Sequence, residues 1–480
     1  MQSALPLCVD LDGTLVRTDT LVEGFFALAT SRSIVPVLGQ LLNGRAAFKQ
    51  AVAAAAPLDP ALLPYNETLL AYLREQKDAG RYLVLATAAD QRVAASIAGH
   101  LVLFDEVIAS DGTRNLKGEA KGRALVDRFG VNGFCYAGNE RADLAIWRQA
   151  GAVILVNAPD GVVARVRGTM KVELAIADLP PRVPELLKAM RPHQWVKNVL
   201  AFVPILAAHS LTEVSAWIGG LIMFFSFCCT ASSIYLINDL LDIPADRAHA
   251  RKRLRPFAKG TLPVPTGALA AVVLLVVGLA AARTGGVAWI VVIYAAMSVG
   301  YSFILKQLPL VDVFMLGALY TIRLFGGGEA TGHRLSLWLL GFSSFLFLSL
   351  ALLKRVEELM RVEGAGGSKV ARRGYLASDA AIMQQFGIAS AFASSIVLAL
   401  YVQNEASLQA YLSPSLLWLV VPLMLFWQCR MWLSGARGYM HHDPIVYAAR
   451  DWVSWTIGVA VVVVVIAAKS LPFFASPRVP

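Results

Sequence analysis

The chain has 480 residues, a formal net charge of +10, 57% apolar residues and only 16% charged residues. A chain of this length is expected to contain more than one domain. Residues 1–190 have the composition of a soluble protein, whereas from about Trp195 onward long apolar runs alternate with short polar loops. This second pattern is typical of a multispanning membrane protein. The positive charge therefore indicates loops that face membrane lipids and sites for phosphate, and we expect no nucleic-acid partner.

The five cysteines have neither metal-site nor disulfide spacing, so we interpret them as core residues. No signal-peptide pattern precedes the first predicted strand, residues 5–9. We therefore expect the N-terminal domain to lie in the cytoplasm.

That first strand ends in the segment Asp10-Leu11-Asp12-Gly13-Thr14. Two acids two residues apart at the carboxyl end of a strand lie where open α/β sheets bind ligands. The segment resembles the first motif of the haloacid dehalogenase (HAD) superfamily of phosphatases. The resemblance implies an α/β Rossmann-like domain over residues 1–180, with Asp10 as the nucleophile that forms an aspartyl-phosphate. Asp12 would be the general acid and base, and Mg²⁺ would neutralise the phosphoryl oxygens.

Two further segments match the next motifs of that superfamily, in order. A predicted strand at residues 82–86 ends at Thr87, whose hydroxyl would bind the phosphoryl group. Lys121, on a helix that opens at about residue 116, matches the lysine that neutralises Asp10, and Lys117 is the less favoured alternative.

The last motif departs from the superfamily pattern. A predicted strand at residues 133–137 is followed by Asn139, where the family usually has an aspartate, while Asp143 keeps the second acidic position. The implied Mg²⁺ ligands are Asp10, Asp12, Asn139 and Asp143. Because an amide oxygen can bind the ion but carries no charge, weak, altered and lost phosphatase activity all stay open.

A mostly helical insertion, residues 18–76, lies between the first two motifs and has apolar faces at helical spacing. The superfamily places a small cap over the active site at this point. The alternative is an unreactive doubly wound domain. Four motifs in order at strand ends favour the family for the fold, while the activity is a separate question.

A linker and an interfacial helix are predicted over residues 181–194. The linker follows from the prolines at 180–184, and residues 185–190 form a short amphipathic pattern that suits a membrane surface. The first apolar run begins after Trp195. Lys197 and Asn198 lie at its start, at a depth that polar groups occupy only beside a cavity.

Nine apolar runs then predict an all-α bundle of nine transmembrane helices over residues 195–480. The runs are residues 198–208, 216–237, 266–282, 288–305, 311–325, 337–353, 381–402, 416–433 and 452–468. Under this count the loops rich in Lys and Arg fall on one side, which the positive-inside rule places in the cytoplasm. We therefore expect an integral protein of a bacterial-type plasma membrane, with both candidate active sites facing the cytoplasm.

The second run leads directly into an acidic segment, residues 238–246. On a helix Asp239, Asp242 and Asp246 share one face, and Asn238 lies one turn before Asp242. Three converging carboxylates repel each other unless a cation lies between them, and an all-oxygen set suits Mg²⁺ with a substrate phosphate. A basic run that includes Arg255 follows. The alternative, a helix cap followed by ordinary positive-inside charges, explains the basic run but not the three spaced acids.

Two more polar groups lie in later runs. Asp312, Tyr320 and Arg323 form one helical stripe that follows Lys306. A second group comprises Lys354, Arg355, Glu358, Arg372, Arg373 and Tyr375. The alternatives are an Asp312–Arg323 ion pair within the bundle and interfacial snorkelling of Lys354 and Arg355.

Together these motifs resemble the UbiA superfamily of membrane prenyltransferases, and in detail its decaprenyl-phosphate phosphoribosyltransferase branch, over about residues 188–470. The resemblance implies transfer of 5-phosphoribose from 5-phosphoribosyl diphosphate to a polyprenyl phosphate. Mg²⁺ would be held by Asn238, Asp239, Asp242 and Asp246, with Asp312 from a second acidic motif. The candidate substrate-binding residues are Lys197, Asn198, Arg255, Lys306, Tyr320, Arg323, Lys354, Arg355, Glu358 and Tyr375.

The fusion of the two domains suggests two consecutive steps. The transferase product would carry a phosphomonoester, which a HAD-type phosphatase would remove to give polyprenyl-phosphoryl ribose. One rival interpretation is an aromatic prenyltransferase that uses a prenyl diphosphate. Others are a transferase with an inactive regulatory HAD domain, and a lipid-phosphate transporter or scaffold.

Overall fold

The computed structural model describes residues 4–28, 33–333, 335–364, 373–404, 411–440 and 443–471. The chain divides into two compact units. One unit contains Met1–Met190 together with Tyr235–Ala271, and the other contains Arg191–Ile234 and Val272–Pro480. The first break follows Met190, within the stretch 181–194 predicted as linker and interfacial helix. The inclusion of residues 235–271, which carry the acidic segment, in the N-terminal unit was not predicted.

Six parallel strands form the sheet of the N-terminal unit, in the order β3-β2-β1-β4-β5-β6. They are Leu7–Val9 (β1), Leu83–Asp90 (β2), Glu106–Ser110 (β3), Cys135–Gly138 (β4), Ala152–Val156 (β5) and Val172–Ile176 (β6). The chain order reverses direction at β1 and β4, and ligands of such sheets bind at the carboxyl ends of the strands beside that reversal. The predicted α/β Rossmann-like fold is confirmed, and Asp10 and Asn139 directly follow the two central strands.

The N-terminal domain also contains helices, and some of them cover the two faces of the sheet. The helices are Thr20–Leu28, Ile34–Gly39, Arg45–Ala55, Glu67–Asp78, Gln91–Leu101, Glu119–Phe129, Leu144–Trp147, Asp160–Arg167 and Arg182–Met190. Side chains alternate across the sheet, so Leu7 and Val9 lie in one core cluster and Cys8 in the other.

The helical insertion divides between the cap and the sheet. Its first three helices share a small core of Leu28, Val37 and Val52. The fourth, Glu67–Asp78, instead buries Leu69 and Leu73 in the main core of the sheet. The cap is therefore shorter than residues 18–76.

The remaining helices belong to the apolar part of the chain. They are Val203–Ala207, Val214–Leu241, Ile243–Arg247, Val264–Thr284, Ala288–Phe303, Val311–Thr331, Leu337–Gly364, Ala380–Val402, Val420–Ala436, Pro444–Ala448 and Trp452–Ser470. Leu337–Gly364 packs against Val311–Thr331 and Ala380–Val402 around a core that includes Leu350 and Leu353.

Seven helical segments of the described residues are long and apolar enough to cross a membrane, so the predicted count of nine is not confirmed. They are Val214–Leu241, Val264–Thr284, Val311–Thr331, Leu337–Gly364, Ala377–Val402, Pro414–Ala436 and Trp452–Ser470. The two other predicted runs are also helical but shorter. The first folds as a 3₁₀ segment, Pro192–Phe202, followed by Val203–Ala207, and the other is the 16-residue helix Ala288–Phe303.

Candidate active sites

The N-terminal site is built around Asp10, at the carboxyl end of β1. The ammonium of Lys121 lies 2.7 Å from Asp10 Oδ1 and donates to the hydroxyl of Tyr136 at 2.9 Å. That hydroxyl donates to Asp143 Oδ1 at 3.2 Å. The structure therefore brings Asp10, Lys121 and Asp143 together, and Lys121 rather than Lys117 is the lysine that contacts Asp10.

Asp12 lies beside this network, where the cap meets the sheet domain. Its Oδ1 accepts hydrogen bonds from the backbone N–H and the hydroxyl of Thr20, both at 2.8 Å. Burial, together with the charges of Asp19 and Asp10, raises the pKa of Asp12 to about 7. Burial and the charge of Asp10 likewise raise the pKa of Asp143 to about 6. The site thus holds more negative charge than Lys121 alone neutralises.

A cavity of about 330 Å³ opens in front of these residues. Asp10, Asp12, Lys121 and Asp143 line it from the sheet domain, and Leu21, Leu41, Arg45, Phe48 and Lys49 line it from the cap. Its size lies within the usual range for small-molecule pockets. The cap therefore forms one wall of the site, as the resemblance implied.

Lys49 is a residue of this cavity that the sequence predictions missed. Its ammonium donates to the carbonyl of Ala88 at 2.6 Å and to Asn115 Oδ1 at 2.9 Å, and burial lowers its pKa. The sequence signal was weak, because a lysine on the helix Arg45–Ala55 is also an ordinary solvated charge. The fold places it over the site.

Two predicted residues have other surroundings than expected. Strand β2 continues through Thr87 to Asp90, so Thr87 is fully buried and its hydroxyl accepts the backbone N–H of Ala89 at 3.0 Å. Asn139 Oδ1 accepts from the hydroxyl of Thr14 at 3.3 Å, and its amide packs against Gly13, at φ +75°. Both side chains are engaged within the protein.

The second site is the acidic segment at the end of Val214–Leu241. Helical hydrogen bonding continues past this helix, because Asp242 N–H donates to Asn238 O and Asp246 N–H donates to Asp242 O. Asp239 and Asp246 are consequently on one side, and both accept from Arg255 Nη1, at 3.0 and 2.6 Å. Both are almost fully buried, whereas Asn238 and Asp242 are half-buried.

The donor chemistry of both sites fits Mg²⁺, since each offers buried carboxylate oxygens, the hard ligands that this ion prefers. Over the described ranges, no three His, Cys, Asp or Glu side chains are already arranged as a metal cluster. The individual Mg²⁺ ligands therefore stay predictions.

Part of the basic run after the acidic segment is used for packing within the N-terminal unit. Arg247 forms a two-pronged ion pair with Glu23 of the cap and donates to the carbonyl of Ala258 at 2.9 Å. Gly260, at φ +74°, allows close approach of the backbone to Arg17 and Pro64. The loop that carries Arg255 is therefore fixed against the N-terminal domain.

In the other unit, Asp443 joins three of the predicted residues. Its carboxylate lies 2.7 Å from the ammonium of Lys197 and 3.2 Å from that of Lys354, and accepts from the hydroxyl of Tyr320 at 2.8 Å. Asp443 was not predicted. An Asp before Pro at a helix start indicates an N-cap, a role that Asp443 also fills towards Ile445 N–H, and this local signal gave no reason to expect the lysines.

Arg323 lies in a separate buried arrangement. Its Nε donates to Asn198 Oδ1 at 2.7 Å, and its Nη2 donates to the hydroxyl of Tyr294 at 2.9 Å. The suggested Asp312–Arg323 ion pair is absent among the described residues.

Asp312 instead pairs with Arg355, whose Nη2 lies 2.5 Å from Asp312 Oδ2, and it accepts from the hydroxyl of Tyr375. Arg373 lies 3.5 Å from the same Oδ2, and Arg355 also pairs with Glu358. With cations on one oxygen and a hydroxyl on the other, Asp312 has the surroundings of a structural residue, which does not favour direct metal binding. Lys306 is half-exposed and forms no ion pair with the described residues, and Arg372 lies outside them.

Comparison with known proteins agrees with the membrane part of this description. Residues 199–439 match the model of the UbiA prenyltransferase family, half of the chain. The chain belongs to the UbiA prenyltransferase family. It is thus a member of an integral membrane family, which agrees with its apolar helices.

Relatives extend the comparison to most of the chain. The uncharacterized protein y4nM of Sinorhizobium fredii is 38% identical over 464 residues, covering 95% of this chain and 89% of the relative. The nodulation protein NoeC of Azorhizobium caulinodans is 34% identical over 55% of this chain and 86% of its own length. The decaprenyl-phosphate phosphoribosyltransferase of Corynebacterium glutamicum is 41% identical over 187 residues, which are 38% of this chain and 56% of that enzyme.

Solved structures resemble each part separately. A UbiA homolog from Archaeoglobus fulgidus bound to GPP and Mg²⁺ matches 60% of this chain and all of its own, with 15% identity and a TM-score of 0.46. A HAD family hydrolase from Salmonella enterica matches 36% of this chain and 68% of its own, with 15% identity and a TM-score of 0.28.

Proposed function

We propose that this protein transfers 5-phosphoribose from 5-phosphoribosyl diphosphate to a polyprenyl phosphate and then removes the 5-phosphate. The observation that carries the first step is the 41% identity to a decaprenyl-phosphate phosphoribosyltransferase within the UbiA family. The Asp443 cluster supports it, because the buried Lys197, the half-buried Lys354 and Tyr320 gather around one anionic group. A site that binds several phosphates needs such a concentration of cations.

In the first step, the acidic segment would hold the donor's diphosphate through Mg²⁺, which stabilises the leaving group's charge. Asp239, Asp242 and Asp246 supply the carboxylates, and Arg255 keeps two of them oriented. An oxygen of the lipid phosphate bonds to ribose C1 as the bond from C1 to the diphosphate breaks. Since that oxygen is already anionic near neutral pH, no strong base is required.

In the membrane unit, Lys197 and Lys354, held in position by Asp443, would bind the donor's 5-phosphate or the lipid phosphate. Arg323 would act indirectly, because its donors already hold Asn198 and Tyr294. Arg355, Glu358 and Tyr375 would support the site by fixing Asp312.

In the second step, Asp10 would attack the 5-phosphate and form an aspartyl-phosphate, releasing the ribose C5 oxygen. Asp12 would give that oxygen a proton and later take one from the water that hydrolyses the intermediate. The raised pKa of Asp12, about 7, suits a group that must carry a proton near neutral pH. Lys121, 2.7 Å from Asp10, would neutralise the transferred phosphoryl group.

Asn139 favours one alternative, a HAD domain that binds but does not hydrolyse. Its amide replaces a charge, and its oxygen accepts from Thr14. The active form is favoured because Lys121 contacts Asp10 and Asp12 lines the same cavity.

The choice of donor tests the proposed transferase. Purified protein is given Mg²⁺, a polyprenyl phosphate and labelled 5-phosphoribosyl diphosphate, and lipid products are identified by mass spectrometry. We expect label in the lipid fraction, and none when ribosyl diphosphate without the 5-phosphate is the donor. Product from a prenyl diphosphate and an aromatic acid instead would favour the aromatic prenyltransferase and exclude this proposal.

A further inference from the structure

The cap carries an apolar helical segment whose large side chains are exposed. Ile34–Gly39 continues as the 3₁₀ turn Gln40–Asn43. Val35 is 72% exposed, Leu38 40%, Leu41 50% and Leu42 93%. A single exposed leucine is ordinary, but four large apolar side chains on one short segment form a surface that a soluble domain avoids.

This segment belongs to a cap that adjoins the end of a membrane-crossing helix. Cap residue Glu23 pairs with Arg247, and both side chains are buried. Arg247 follows Leu241, the last residue of the apolar helix Val214–Leu241, by six residues. At ~1.5 Å per residue that separation is about 9 Å along a helix axis, comparable with the thickness of a lipid headgroup layer.

A shared cavity supports this placement. A cavity of about 410 Å³ is lined by Leu28 and Leu58 of the N-terminal domain and by Leu240 and Ile243 at the end of the same apolar helix. The cap therefore lies beside the point where the chain leaves the apolar helix, with an ion pair and a shared apolar-lined cavity at this boundary.

We propose that residues 34–43 insert their apolar side chains into the lipid interface and form a membrane-binding surface on the cap. The occupant is the lipid bilayer itself, because the chain's own apolar helix ends beside the cap. Interfacial amphipathic helices typically bury their apolar face about 5–10 Å into the boundary between headgroups and acyl chains.

The surface also adjoins the N-terminal cavity. Leu41 lines that cavity, together with Arg45 and Lys49. A phosphorylated lipid could then pass its headgroup from the bilayer to Asp10 past two cationic side chains. This consequence rests on the proposed function, whereas insertion itself does not.

Insertion is tested with full-length protein in nanodiscs. Leu42→Cys is labelled with an environment-sensitive fluorophore in a Cys429→Ser background, because Cys429 is the one exposed cysteine among the described residues and the other four are buried. The matched control is Val131→Cys, an apolar position of the same domain that is 65% exposed. We expect nitroxide-bearing lipids to quench the Leu42 label at least about twofold and to leave the Val131 label unchanged, as an interfacial depth of roughly 5–10 Å requires.

Equal quenching of the two labels would overturn the proposal. A shielded but unquenched Leu42 label would also overturn it, because protein, such as a second copy of the chain, would then cover the surface.

Lipid entry is tested by the double variant Leu38→Ser with Leu42→Ser, against Val131→Ser. We expect a fall of about tenfold in hydrolysis of a lipid-linked phosphomonoester, with hydrolysis of p-nitrophenyl phosphate unchanged, since only the lipid substrate needs the apolar surface. An equal effect on both substrates, or on neither, would exclude the entry route. If wild-type protein hydrolyses neither substrate, the proposed phosphatase fails, while the quenching result still decides insertion.

Discussion

At the scale of single residues, Asp12 and Asp143 make the N-terminal site sensitive to cations and pH. Their pKa values of about 7 and about 6 lie above the ordinary carboxyl range near 4. A carboxyl whose pKa is raised in the folded state stabilises that state most below its unfolded pKa, and the contribution is lost as pH rises through the folded value. A bound divalent cation would reverse this loss.

The link between carboxylate ionisation and stability predicts how adding or removing Mg²⁺ changes hydrogen exchange. We expect Mg²⁺ to slow hydrogen exchange in residues 7–20 more at about pH 8 than at about pH 5, because the carboxylates are ionised at the higher pH. Hydrogen-exchange mass spectrometry of the full chain measures this directly. In Asp12→Asn, the slowing of exchange by Mg²⁺ should differ less between about pH 8 and about pH 5 than in wild type. Equal slowing by Mg²⁺ at both pH values in wild type would contradict the assignment of a Mg²⁺ site to these carboxylates.

Asp443 gives a second residue-scale prediction. Asp443→Asn removes the anion shared by Lys197 and Lys354, so the two ammonium groups should repel each other and lose their positions. We expect the initial rate of ribosyl transfer to fall at least about tenfold, as when a buried charge loses its partner.

The matched control for Asp443→Asn is Asp451→Asn. Asp451 also caps a helix and pairs with a cation, Arg430, but it does not contact the lysine cluster. If both variants lose transfer equally, the role of Asp443 is only that of a helix cap.

At the scale of elements, the end of Val214–Leu241 carries the proposed diphosphate site. Asp239 and Asp246 share Arg255, while Asp242 lies between them and is more exposed. Asp242 is thus the carboxylate of this segment best placed to meet a ligand from outside.

Asp242→Asn should therefore lower transfer by at least about two decades while the protein stays folded in detergent, because a charge clamp on a leaving group commonly contributes that much. Initial rates with labelled donor, with and without EDTA, measure the effect. Full activity in the variant, or activity of wild type in EDTA, would exclude the Mg²⁺–diphosphate assignment.

Some of the strands and helices could be predicted from the sequence, and others could not. The α/β Rossmann-like sheet was implied by a family resemblance, whose motifs lie where short apolar strands end in acids. The apolar run at 337–353 predicts a shorter helix than the observed Leu337–Gly364, because the charged residues from Lys354 onward are typical of a membrane edge. The helix continues to Gly364 because those charges pair with each other, as Arg355 does with Glu358. The nine-helix count assumed that every apolar run spans, although Ala288–Phe303 has only 16 residues.

The contacts within the candidate sites also include some that the sequence could predict and some that it could not. Spacing along one element correctly indicated that Asp239 and Asp246 lie together, and motif order brought Asp10 to Lys121. Partners that come from distant segments, such as Asp443 for Lys197 or Arg355 for Asp312, depend on packing between helices and left no local signal.

At the scale of the whole molecule, the acidic segment belongs to the same compact unit as the N-terminal α/β domain. The Glu23–Arg247 pair and the close approach at Gly260 hold the segment and the domain together. A lipid that leaves the first site would therefore meet the second at a high effective concentration. This arrangement supports two consecutive reactions in one chain.

The most direct test of that claim is a time course of lipid products by mass spectrometry, for wild type and Asp10→Asn, with Mg²⁺, 5-phosphoribosyl diphosphate and a polyprenyl phosphate. We predict that wild type accumulates polyprenyl-phosphoryl ribose with the 5-phosphorylated lipid only as a transient. Asp10→Asn should incorporate ribose at the same initial rate but accumulate the 5-phosphorylated lipid. If both proteins accumulate the same 5-phosphorylated lipid, the N-terminal domain does not hydrolyse it, and the two-step account is wrong.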